Sequence, residues 1–112
     1  MSRHCLFVEY ELCVPSEVWM SRCEAALPAL SLVSGLEWKL WLLDPAAQRG
    51  GGVYLFADAS AAREFASGPF VASMRASSDL RDLRIRTMPI AESLTAATFQ
   101  LAEKGARHVR LG

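Results

Sequence analysis

The sequence predicts one α+β domain in which four antiparallel strands form a sheet and the helices cover one face of it. Its 112 residues amount to one domain, since most domains run roughly 100 to 150 residues. With 52% hydrophobic and 21% charged residues, the chain can bury a core. The apolar patterns follow the order strand, helix, strand, strand, helix, strand. That order is the split βαβ arrangement.

Two different spacings of apolar residues predict the first strand and the first helix. Residues 3–13 alternate, and the apolar parity consists of Leu6, Val8, Tyr10 and Leu12. Pro15 and Ser16 then suit a helix start, and the following apolar residues recur at helical spacing. These are Trp19, Met20, Cys23, Ala26, Leu27 and Leu30. We expect a strand with one apolar face, then a helix over residues 16–32 that is interrupted at Pro28.

Two further strands are predicted on either side of a glycine-rich segment. Residues 36–43 alternate, with Trp38, Leu40 and Leu42 on the parity that we assign to the helix side and Lys39 and Trp41 on the other. Residues 44–52 contain a proline and three glycines, which predicts a long hairpin loop. Residues 53–57 are apolar throughout, which predicts a strand buried on both faces. The side to which Tyr54 points therefore stays open.

The second half of the chain predicts a broken helix, a fourth strand and an extra C-terminal helix. Asp58 and Ser60 offer caps for a helix that breaks near residues 68–69 and resumes through Met74. Residues 80–88 alternate and predict the fourth strand. Residues 90–104 have helical spacing and stop at Gly105. We expect a single domain over residues 1–104 and a flexible tail over residues 105–112.

Composition and charge exclude several classes of function. Twelve basic and twelve acidic residues give a net charge of zero, so nucleic acid and anionic membranes are not expected partners. No apolar run approaches the ~20 residues of a membrane span, and the first residues do not resemble a secretory signal, so we expect a cytoplasmic protein. Cys5, Cys13 and Cys23 lack metal or dithiol spacing, and the only histidines are His4 and His108. We therefore expect no metal and no cofactor.

A sheet with helices on one side leaves its other face uncovered. Apolar side chains are predicted there beside charged ones, and such a patch on a small domain favours a partner. We predict a homodimer joined through the sheet faces about a twofold axis. The residues assigned to this face are Phe7, Trp41 and Leu43, with Glu9, Glu11, Lys39, Arg84 and Arg86.

The middle of the chain resembles a known family. The run GLEWKLW over residues 35–41 and the run GGVYLFAD over residues 51–58 are similar to the YdhR-type mono-oxygenase family. The resemblance covers about residues 6–95 in element order. It implies two ferredoxin-like subunits joined by their sheets as a dimeric α+β barrel. It also implies oxidation of a small aromatic or quinol-like compound by dioxygen without metal or flavin.

A candidate site follows from the aromatic residues on the strands. Such a reaction needs a pocket for an electron-rich ring, a base, and a donor for the developing oxyanion. We expect Tyr10, Trp38 and Tyr54 to line a pocket between sheet and helices, with Lys39 or Glu9 supplying charge. Trp19, Met20, Phe65 and Met74 are expected to complete its lining.

Other interpretations of the same residues remain. Aromatic residues on an apolar strand face commonly belong to the core, and Lys39 would serve equally in an ion pair at the dimer interface. A non-catalytic small-molecule binding or stress-response protein would use the same pocket, and so would an isomerase or lactone-handling enzyme. An ionisable group that points into the pocket favours catalysis. Oxygen consumption separates an oxygenase from an isomerase.

Overall fold

The computed structural model describes residues 2–100, and within them the elements follow the predicted order. The strands are β1 (His4–Leu12), β2 (Leu36–Asp44), β3 (Arg49–Phe56) and β4 (Leu80–Pro89). The helices are α1 (Ser16–Leu30), α2 (Ala59–Ala66) and α3 (Pro69–Ala76), and residues 92–100 are also helical. The predicted tail over residues 105–112 and the end of the predicted C-terminal helix lie outside the described residues.

All four strands form one antiparallel sheet in the order β2-β3-β1-β4. The predicted ferredoxin-like fold is therefore confirmed. The core lies between this sheet and the helices, because the alternating apolar residues of β1 and β3 point to the same side as the buried residues of α2 and α3. Its members include Leu6, Val8, Tyr10, Leu12, Tyr54, Phe56, Ala62, Phe65 and Val71.

The three consecutive glycines lie inside β3 and not in a hairpin loop, so that prediction is wrong. The turn is shorter, running from Pro45 to Gln48, whose N–H donates to the Pro45 carbonyl at 3.2 Å. Glycine is a weak strand former, which is why the segment has the pattern of a loop. Here close packing requires it, since a Cβ at Gly51 would lie 2.1 Å from the Val8 carbonyl oxygen.

The two faces of β2 are the reverse of the predicted ones. Lys39 is paired with Tyr54 and Trp41 with Gly52. Directly paired residues of antiparallel strands point to the same face, and Tyr54 points to the helices, so the Lys39 and Trp41 side chains also lie on the helix side. Trp38 lies on the opposite side, and the prediction that it lines the helix-side pocket is wrong. The register shifts between Leu36 and Trp38, which is a β-bulge. The pairing of β2 with β3 decides which face is covered, and the hydrophobicity of β2 alone does not reveal it.

The side of the sheet away from the helices is called the open face here, and it carries apolar side chains beside charged ones. The apolar members are Phe7, Trp38, Leu40, Leu42, Val53, Leu55 and Met88. Among them Trp38 is 52% exposed and Leu40 46% exposed. Glu9 is paired with Arg49, and Glu11 accepts from Arg81 at 2.6 Å. These two ion pairs on the open face therefore form within the chain.

Candidate functional site

A cavity of about 210 Å³ lies between α1 and the second half of β2. A second space of about 60 Å³ lies deeper, between α1, α3 and the middle of the sheet. Tyr10, Trp19, Cys23 and Trp41 line both spaces, so the two are adjoining parts of one apolar site. The outer part is also lined by Met20, Glu24, Leu27 and Leu43. Only the deeper part reaches the polar atoms of β2 and β3 described next.

Tyr10 and Trp19 form one wall of the site. The Trp19 indole N–H donates to the Tyr10 hydroxyl at 3.1 Å, and the two rings meet edge to face with centroids 5.4 Å apart. Gly50 lies under the Tyr10 ring, where a Cβ would come within 2.8 Å of its Cε1 atom. The absence of a side chain at Gly50 therefore leaves room for the Tyr10 ring.

Lys39 and Tyr54 form the floor. The Lys39 Nζ donates to the Tyr54 hydroxyl at 2.8 Å and lies 3.3 Å from the centroid of the Trp41 ring. The aliphatic part of Lys39 runs along Gly52, where a Cβ would lie 2.8 Å from the Lys39 Cε. A lysine can bury its methylene chain in this way while its nitrogen reaches a polar or aromatic partner. The sequence pattern assigned Lys39 to the face away from the helices, but the amine points into the apolar site.

Burial shifts the pKa values of the site's ionisable groups. It lowers the pKa of the Lys39 amine to about 8, and the Cys23 charge acts in the opposite direction. It raises the pKa of Tyr10 to about 12, against the effect of the Trp19 hydrogen bond. Burial also raises the pKa of the Tyr54 hydroxyl above its usual range. Near pH 8 the site therefore holds a partly neutral amine beside two protonated phenols.

Three of the four predicted site residues come together, and one does not. Tyr10, Tyr54 and Lys39 line the deeper space, whereas Trp38 lies on the open face. Glu9 also lies on the open face and is bound to Arg49.

His4 begins β1, at the end of the strand far from Tyr10. It lies six positions before that tyrosine, or about 20 Å along an extended strand. It therefore does not belong to the site, and His108 lies outside the described residues.

Sequence reasoning missed several residues that shape the site. Cys23 and Leu27 were recognised only as part of the apolar stripe of α1, although that stripe is the side of the helix that faces the cavity. Trp41 was assigned to the wrong face. Gly50 and Gly52 were assigned to a loop, yet they provide the space for Tyr10 and Lys39. The glycines directly precede the apolar run over residues 53–57, and this was the signal that could have placed them in the same strand.

The described part of the chain has neither a metal-binding cluster nor a membrane-spanning helix. Residues 2–100 contain no group of three His, Cys, Asp or Glu side chains that could hold a metal ion. Within the same residues, no helix combines the length and the apolar character that a bilayer-spanning helix requires.

Solved structures share this fold. A protein of unknown function from Nitrosomonas europaea superposes with a TM-score of 0.66 at 23% identity, covering 81% of this chain and 91% of that one. SnoaB, a cofactor-independent oxygenase from Streptomyces nogalater, gives 0.65 at 11% identity, covering 81% and 95%. The heme degrader MhuD from Mycobacterium tuberculosis gives 0.62 at 15% identity, covering 79% and 95%. Identities this low establish a common fold only.

Comparison by sequence is more specific. No curated protein matches the chain. The family described as "Putative mono-oxygenase ydhR" matches residues 5–100. This span includes the four strands except for His4, the helices α1 to α3 and the residues of the site. Because that match extends over most of the sequence, the chain belongs to the ydhR family.

Proposed function

We propose that the protein is a cofactor-independent mono-oxygenase that oxidises a small phenolic or quinol-like aromatic compound in the cavity between α1 and the sheet. The observation that carries the proposal is the Lys39 amine, which points into an aromatic cavity and is hydrogen-bonded to Tyr54 at 2.8 Å. An ionisable group in this position favours catalysis over simple binding. The fold that the chain shares with a cofactor-independent oxygenase supports the same conclusion.

In this mechanism the substrate supplies the electrons. Neutral Lys39 takes the proton of the substrate, and the resulting electron-rich anion reacts with dioxygen. In the keto form of the substrate, a ring CH₂ group becomes a carbonyl. One oxygen atom of dioxygen enters the product and the other leaves as water. The four electrons that dioxygen accepts all come from the substrate, so no outside reductant is required. The Tyr54 hydroxyl, whose pKa is raised by burial, stays protonated and donates to the developing oxyanion.

Oxygen uptake tests the proposal and should depend on pH. With a Lys39 pKa of about 8, the neutral fraction rises from about a tenth at pH 7 to about nine tenths at pH 9. We expect uptake with anthrone or a dihydroxynaphthalene to rise roughly tenfold over this range and then level off. An oxygen electrode measures it, with heat-denatured protein as the correction for autoxidation.

Two lysine variants make this experiment specific. Lys39→Met keeps the apolar chain but removes the base, and it should lower uptake by roughly 100-fold or more. Lys104→Met removes the only other lysine of the sequence and should leave uptake unchanged. Circular dichroism establishes that both variants are folded. Uptake no faster than autoxidation across these substrates, or equal uptake by both variants, would refute the proposed reaction.

We also propose that the working form is a homodimer in which two open faces pack together. Trp38 and Leu40 are about half exposed on that face. The same face also carries Arg84 and Arg86 beside the acidic residues of β1. A patch that mixes large apolar side chains with both signs of charge suits a second copy related by a twofold axis. Under this arrangement Trp38 stabilises the assembly and does not contact the substrate.

A further inference from the structure

The amine of Lys39 has unusual surroundings for a lysine. None of the ion pairs within residues 2–100 includes it, and its partners are a phenol and an indole ring. The ionisable groups around the deeper space are Tyr10 from β1, Tyr54 from β3, and Arg22 and Cys23 from α1. The α3 helix contributes only Phe70 and Met74. No carboxylate among these groups stabilises the ammonium form.

We propose that Lys39 binds small aromatic aldehydes and ketones covalently, as an imine, in this cavity. The geometry provides both groups that the reaction needs, an amine at the floor of an apolar cavity and a hydroxyl 2.8 Å from it. Oxygen takes no part in this chemistry, so the proposal is independent of the mono-oxygenase reaction.

The reaction balances without any other reactant. The neutral Lys39 nitrogen attacks the carbonyl carbon, and one of its two protons passes to the carbonyl oxygen to give a carbinolamine. The Tyr54 hydroxyl then donates a proton to that oxygen, which leaves as water while the C=N bond forms. The nitrogen returns its proton to the Tyr54 oxygen. The net change is the exchange of one carbonyl oxygen for the lysine nitrogen with release of one water molecule.

The burial of Lys39 makes its amine a better nucleophile. Burial lowers the pKa of Lys39 to about 8, so a large share of it is a neutral nucleophile in mildly alkaline solution. The attraction between Lys39 and the Trp41 ring at 3.3 Å requires the charged form, so it weakens when the proton leaves. The nitrogen lone pair is then available to a ligand carbonyl.

The lining of the cavity selects the carbonyl compound. The outer space of about 210 Å³ is enclosed by Trp19, Met20, Leu27 and Trp41, with Glu24 among its residues. These side chains suit one or two flat apolar rings, and a carboxylate on the ligand would be placed among apolar groups near Glu24. We therefore expect 2-naphthaldehyde to react and glyoxylate to react poorly.

The sequence has two lysines, so the labelling of Lys104 serves as the internal reference for the labelling of Lys39. Protein at pH 8 is incubated without oxygen with 2-naphthaldehyde and sodium cyanoborohydride, which converts an imine into a stable secondary amine. Peptide mass spectrometry then compares Lys39, Lys104 and the N-terminal amine. A neutral fraction of about one half at Lys39, against a fraction of a per cent for an ordinary lysine, predicts labelling faster at Lys39 by roughly tenfold to hundredfold.

Controls separate a site from a merely reactive lysine. Preference for Lys39 should disappear in 8 M urea, and naphthalene should compete with the aldehyde. Tyr54→Phe should slow labelling of Lys39 severalfold while leaving Lys104 unchanged. The proposal is overturned if Lys39 reacts no faster than Lys104 in the folded protein, or if its preference persists after unfolding. Either result stands whatever the oxygen electrode shows.

Discussion

Lys39 reaches the site because glycines of β3 leave room beside it. A Cβ at Gly52 would lie 2.8 Å from the flexible end of Lys39, whereas a Cβ at Gly51 would lie 2.1 Å from the backbone oxygen of Val8. A lysine side chain can move aside at small cost, but a carbonyl held in the sheet cannot. The two neighbouring glycines therefore have different roles, one in the site and the other in the pairing of β1 with β3.

This difference predicts different consequences for two alanine substitutions. Gly51→Ala should lower the free energy of unfolding by about 2 kcal/mol or more, because the strands must separate to admit the methyl group. Gly52→Ala should have a clearly smaller effect on stability but should displace Lys39 and slow its labelling. Urea denaturation and the labelling experiment measure the two effects. Equal destabilisation by both substitutions would contradict the assigned roles.

At the scale of elements, the N-terminus of α2 shows which of two candidate cap residues the helix uses. The sequence offered both Asp58 and Ser60 as caps. The structure uses Asp58, whose carboxylate accepts from the Ala61 N–H at 2.9 Å, while Ser60 is an exposed residue of the first turn. The broken helix after it was also predicted correctly, since α2 ends at Ala66 and α3 begins at Pro69.

The two cap candidates form a matched pair of variants. Asp58→Ala removes the acceptor for an N–H that has no partner within the helix, and it should lower the free energy of unfolding by about 1 kcal/mol. Ser60→Ala replaces a helical serine with a better helix former and should be neutral or slightly stabilising. Chemical denaturation followed by circular dichroism compares them. The assignment of Asp58 fails if Ser60→Ala is the more damaging change.

The strand β2 shows where a pattern within one element is insufficient. Its alternation predicts correctly that Trp38, Leu40 and Leu42 share a face, and the pairing with β3 bears this out. The alternation cannot state which face the helices cover, because both parities contain a tryptophan and leucine. The parity that contains Lys39 was assigned to the open face, yet the Lys39 side chain lies under α1.

For the whole molecule, the proposed homodimer depends on contacts between two open faces. Leu40 is 46% exposed near the middle of β2, and a charge there would be buried if two open faces pack together. Leu40→Glu should therefore shift a dimer of twice the 12.3 kDa chain mass toward the monomer. Native mass spectrometry and sedimentation velocity measure the shift.

A control at another exposed leucine keeps this test specific. Leu32 lies between α1 and β2 and is 86% exposed, away from the open face. Leu32→Glu should leave the dimer intact. A monomeric wild-type protein, or equal dissociation of both variants, would show that the open face does not join two copies.

The sequence by itself determined the order of the elements and the apolar faces of β1 and β4. These depend on local periodicity, because side chains alternate along a strand and recur every three to four residues along a helix. It also identified Tyr10, Tyr54 and Lys39 as candidate site residues. The role of each remains a proposal.

Only the tertiary structure decided which of those residues meet. Tyr54 faces the helices, Lys39 joins it, and Trp38 lies on the open face, since the register of β2 against β3 includes a bulge near Trp38. The glycines belong to the sheet because neighbouring strands leave no space for a side chain at Gly51. Strand register and close packing depend on residues far apart in the sequence, so a pattern read along one strand does not contain them.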